Sequence, residues 1–115
     1  MFKNLFRHKT FEADIRDWLD ENGYYGSSTK FEELELHAIG RPGWIQVYLF
    51  QIQAKSREDD QWLELHGCLR DDERYKDSRI VVFDTADNRD PILAEWSKGL
   101  ITKRSRRKRK SKGDS

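Results

Sequence analysis

A chain of 115 residues has room for one domain with a core of modest size, and its one cysteine excludes an internal disulfide and favours a reducing compartment. Mean hydropathy is -0.98 and charged residues reach 37%, values that would suit a disordered chain, but 12% aromatics and regular apolar spacing predict a folded body. The net charge of +1 hides a division: residues 1 to 102 hold 14 Lys+Arg and 20 Asp+Glu, whereas residues 103 to 115 hold 8 Lys+Arg and one Asp.

Phe2, Leu5 and Phe6 stand at i, i+3 and i+4 beside Lys3, Arg7 and Lys9, the spacing of a short helical turn serving as an N-terminal lid. Thr10 then reads as an N-cap, Phe11, Ile15, Trp18 and Leu19 as an apolar stripe, and Asn22-Gly23 as a stop, so a helix is expected over 11–22. In that frame Glu12 and Asp14 suit the positive helix end, and Asp20 and Glu21 oppose the negative one. Tyr24 to Lys30 is loop chemistry. From Phe31 to Ile39, Leu34, Leu36 and Ala38 alternate with Glu33, Glu35 and His37, the pattern of a half-buried strand. Pro42-Gly43 fits a type II turn leading into a hairpin partner.

That partner, Trp44 to Ala54, is the most apolar stretch of the chain. Trp44, Tyr48 and Phe50 lie on one parity and Ile45, Val47 and Leu49 on the other, so this end should be covered on both faces. From Gln51 onward only Ile52 and Ala54 stay apolar, which opens one face to water. Gln61 to Arg70 forms a third strand, with Leu63, Leu65 and Leu69 opposed to Trp62, Glu64, His66 and Cys68. Asp71 to Ser78 reads as a charged, mobile connection, Arg79 to Thr85 as a fourth strand, and Asp90-Pro91 as the N-cap and first residue of a second helix over 91–98. The expectation is an α+β fold: a four-stranded antiparallel meander flanked by N-terminal and C-terminal helices, in the order α-β-β-β-β-α. Residues 1–101 form the domain and 102–115 a disordered basic tail.

The tetrapeptide Leu-Glu-Leu-His occurs at 34–37 and 63–66, placing Glu35, His37, Glu64 and His66 on polar strand faces. Brought together, these groups would form an acid/base pair or part of a metal site in a small enzyme or metal protein; a solvated sheet face is the plainer reading. Cys68 shares the parity of His66 and Glu64, but strand residues two apart are spaced by about 6.6 Å, which favours a packed cysteine over a nucleophile. The acidic runs Glu58-Asp59-Asp60 and Asp71-Asp72-Glu73 lack calcium-loop spacing and read as solvated loops. No catalytic set, metal site or cofactor motif is assigned.

The strongest compositional signal is the tail. Lys103, Arg104, Arg106, Arg107, Lys108, Arg109, Lys110 and Lys112 form a cationic run with no aromatic, suited to nucleic acid or another polyanion without base recognition. A solubilising tail, or one that folds back on the acidic body, is the plainer alternative. The expected function is a small non-enzymatic binding or adaptor module: an acidic body engages an unknown protein partner, and the tail tethers it to polyanion. A homodimer is a further reading of the doubly apolar strand and four tryptophans. No export signal or membrane span fits, so the expected location is the cytoplasm, or the nucleus in a eukaryotic host.

Overall fold

The computed structural model describes residues 2–40 and 44–102, and of residues 2–9 the backbone alone. Its elements run α1 (Phe2–Glu21), β1 (Lys30–Gly40), β2 (Ile45–Lys55), β3 (Trp62–Asp72), β4 (Asp77–Phe83), α2 (Ala86–Trp96) and β5 (Ile101–Thr102). All strands pair antiparallel in the spatial order β4-β3-β2-β1-β5. The α+β meander is therefore present, with a fifth strand added beyond β1; pairing reaches Thr102, one residue past the expected end of the folded part.

The parity of β2 organises the packing. Tyr48, Phe50, Ile52 and Ala54 face α1, where they meet Phe11, Ile15 and Leu19 together with Leu65 and Leu69 of β3. Val47 and Leu49 face the other way, into a second cluster with Ala38, Cys68, Val81 and Leu93, Ile92 and Trp96 of α2. Each fully buried side chain of this size contributes about 1.5–3 kcal/mol by leaving water. Gln51 and Gln53 continue the second face as half-buried polar residues outside the α2 cluster, so this face is covered at one end and open at the other, as the residue pattern predicts.

Several boundaries differ from expectation, each for a local reason. The backbone of the expected lid is continuous with α1, so Thr10 is helical rather than a cap, and Glu12 and Asp14 lie in mid-helix, away from the dipole end. Asp14 consequently gains little: partial burial, with Asp17 and Asp71 nearby, pushes its carboxyl above the ordinary range. At the other end, Asp20 Oδ1 accepts from the Gly26 N–H at 2.8 Å and from Arg57 at 3.1 Å. The acid at the unfavourable helix end thereby ties two loops to α1. Trp44 lies in the turn before β2 rather than in the strand and is 49% exposed. The Pro42-Gly43 turn lies outside the described residues.

β1 alternates less regularly than its sequence. Register shifts against β2 fall between Phe31 and Glu33 and between Leu36 and Ala38. Each adds one residue to β1 relative to β2, and the second carries Ala38 to the α2 face although Leu34 and Leu36 remain on the α1 face. At the other end of the chain, α2 starts at Ala86, not at Pro91, because Thr85 caps it: the Asn88 N–H donates to Thr85 Oγ1 at 3.2 Å. Pro91 therefore sits inside the helix, where its ring nitrogen has no proton to give the Asp87 carbonyl.

Half of the expected charged loop 71–78 is strand. β3 ends at Asp72 and β4 begins at Asp77, leaving a four-residue turn in which Lys76 adopts φ 51. Asp72 holds that turn by accepting from the Arg74 backbone N–H at 3.1 Å and from its guanidinium at 3.0 and 2.9 Å. The Arg74 guanidinium holds the Asp72 carboxyl below the usual carboxylate range. A depressed folded-state pKa adds stability that is present above the unfolded value and disappears as pH falls through the folded one. Asp72→Asn should accordingly destabilise the chain at neutral pH, with the gap to the native protein narrowing in urea titrations below the ordinary carboxylate range. A gap that stayed constant into strong acid would assign the loss to shape rather than charge.

Candidate binding face

The uncovered end of the α2-side sheet surface is built by three adjacent strands. The register aligns Glu33 with Gln51 and Gln51 with His66, and one step along aligns Gln53 with Glu64. Glu32, displaced by the first register shift, reaches over β2: Gln51 Nε2 donates to its Oε1 at 3.1 Å and Gln53 Nε2 to its Oε2 at 3.3 Å. Gln53 Nε2 also lies 3.5 Å from Glu64 Oε1, which links β1 to β3 across the middle strand. The result is a hydrogen-bonded polar sheet face bearing Glu32, Glu33, Glu35 and Glu64.

Its aromatic margin is Trp62, 46% exposed, with Lys30 Nζ 5.1 Å from the ring centre. At the α2 border stands Arg89, buried, with its Nε 2.9 Å from Asp90 Oδ1. Burial pushes the Glu33 carboxyl up, a hydrogen bond and charge from Glu35 add to this, and Arg89 and His66 partly oppose it. A carboxyl whose ionisation is opposed by burial and by a neighbouring carboxylate is better satisfied by an added cation, so this face is suited to basic groups.

The four groups singled out from the repeated tetrapeptide do not converge. Glu64 and His66 do meet, with His66 Nε2 3.0 Å from Glu64 Oε2, because two long side chains span a separation that backbone spacing alone forbids. Glu35 instead bonds Glu33. His37 occupies the second register shift, and β2 lies between β1 and β3. Among the described residues, no three His, Cys, Asp or Glu side chains are grouped to hold a metal ion. Cys68 is fully buried beneath α2, and burial pushes its thiol up to about 12, which removes the thiolate a nucleophile needs. Asp71 Oδ1 accepts from Ser78 at 3.3 Å, in a strand pair rather than a cation loop.

Gln51 and Gln53 were visible in the sequence only as the polar parity of β2. Glu32 and Arg89 gave no signal, since one depends on a register shift and the other on a helix that begins earlier than its apolar pattern. The eight tail cations, Lys103, Arg104, Arg106, Arg107, Lys108, Arg109, Lys110 and Lys112, lie outside the described residues. Among the described residues no helix is long and apolar enough to cross a membrane. Comparison with protein-family models, with curated proteins and with solved structures found no match for this chain.

Proposed function

We propose that this chain is a small non-enzymatic binding module that offers the open acidic sheet face to a basic partner and uses Lys103 to Lys112 to contact nucleic acid or another polyanion. The observation that supports it best is the segregation of charge: 8 Lys+Arg against one Asp in residues 103 to 115, after a body with 20 Asp+Glu. A run of cations without aromatics binds phosphates by releasing counterions and reads no base. The body, with six more anionic than cationic groups, repels the same polymer, so contact is confined to the tail.

The test keeps the full chain and replaces Arg104, Arg106, Arg107 and Arg109 by glutamine. For single-stranded oligo(dT), log affinity should depend on log salt with a slope reduced by about 3, since each lost phosphate contact removes roughly 0.7. Retention should also be the same for oligo(dT) and oligo(dA). An unchanged slope, or a marked preference between the two sequences, would overturn the reading.

A further inference from the structure

β4 is the last strand on its side of the sheet, and among the described residues no further strand pairs with its outer margin. A row of open backbone N–H and C=O groups recruits another strand, so soluble proteins blunt such margins with proline, charge, bulges or short strands. Ile80, Val81, Val82 and Phe83 show none of these devices. They include no proline and no charge, and β4 pairs with β3 from Asp77 to Phe83 without a register shift. The other side of the sheet is treated differently, since β1 has two register shifts and receives β5.

The four residues are also only half-buried. Ile80 and Val82 pack on the α1 core and Val81 on the α2 core, so both cores end at β4 with an apolar layer partly in water. A second β4, antiparallel, would continue both. An axis through Val81 sets Val81 against itself, Ile80 against Val82, Arg79 against Phe83 and Ser78 against Asp84. Aliphatic then meets aliphatic, and the guanidinium meets an aromatic ring. An axis through Ile80 would set Arg79 against Val81, and one through Val82 would set Ile80 against Asp84, so the Val81 register is the self-complementary one.

We infer that two copies of this chain join β4 to β4 about a two-fold axis through Val81, making one continuous sheet from two five-stranded ones. Such a contact is isologous and closes on itself, which turns an undefended margin into a dimer rather than a growing fibre. Seven residues per copy place it at the low end of interface sizes, where association is weak and depends on concentration. It is independent of what the acidic face or the tail binds.

Sedimentation of the full chain from about 5 to 500 μM, read beside hydrogen exchange over the same range, tests this. The mass should rise from monomer to dimer. Only alternate β4 residues turn their amides to β3, so the other set should exchange fast when dilute and become protected as the dimer forms. Apolar contact should hold between about 50 and 500 mM salt. Ser78 and Asp84 are exposed, so they can be changed without disturbing the core. Ser78→Asp sets like charges opposite one another at two symmetric places and should weaken the dimer on the order of fivefold; adding Asp84→Lys to the same chain should restore it. A chain that stays monomeric throughout would overturn the inference. So would a dimer that leaves the outer β4 amides unprotected, one that falls apart in salt, or one indifferent to the two substitutions.

Discussion

Gly67→Ala is expected to cost the fold about 3 kcal/mol or more, the upper end for forcing volume into a close-packed core. Gly67 lies in mid-β3, opposite Phe50 and Val82. A Cβ there would collide with Phe50 Cζ and stand 2.6 Å from its Cε1 and 2.6 Å from the Val81 carbonyl oxygen. Phe50 is fully buried between sheet and α1, and the Val81 oxygen belongs to backbone held in the β3–β4 ladder, so neither gives way cheaply. Set against total stabilities of about 5–15 kcal/mol, this is a large fraction. Urea unfolding measures it, and Phe50→Leu in the same chain should recover part of the loss by withdrawing the ring from the new methyl. A Gly67→Ala protein as stable as the native one would show that the ring is not seated on β3.

Ile15→Ala on α1 and Leu93→Ala on α2 are each expected to cost about 2–5 kcal/mol, the range for emptying a buried aliphatic site. Both are essentially buried, at 0% and 2% exposure, but they belong to different clusters on opposite faces of one sheet. Substitutions that share no neighbours add within about 0.5 kcal/mol, and the gentler pair Ile15→Val with Leu93→Met tests this without approaching the unfolding limit. Marked non-additivity would mean that the two helices share a core, contrary to the arrangement in which β2 divides them. Loss at Ile15 with none at Leu93 would mean that α2 covers its face loosely.

The strands were legible because period-2 burial is written locally. Val47 and Leu49 against Tyr48 and Phe50 announce a doubly covered strand, and Gln51 and Gln53 announce where one cover ends. The candidate face was legible in part: Glu35, Glu64 and His66 sit on it, but Glu32 joins through a register shift that no residue between Lys30 and Leu36 signals. The start of α2 was misplaced because Thr85 and Asp90-Pro91 both carry cap chemistry, and only where β4 stops decides which is used.

The amino-acid order by itself determined the number and parity of the main strands, the apolar stripe of α1, the open end of the sheet and the separation of acidic body from cationic run. These follow from spacings within about ten residues, the range over which backbone geometry fixes which way a side chain points. Only the tertiary structure decided that Ile101 and Thr102 form a fifth strand on β1, that Ala38 crosses to the α2 face, and that Gly67 lies under the Phe50 ring. Each of these is a relation between residues distant along the chain, set by which strand pairs with which, and pairing is chosen by the packing of the whole sheet rather than by any one segment.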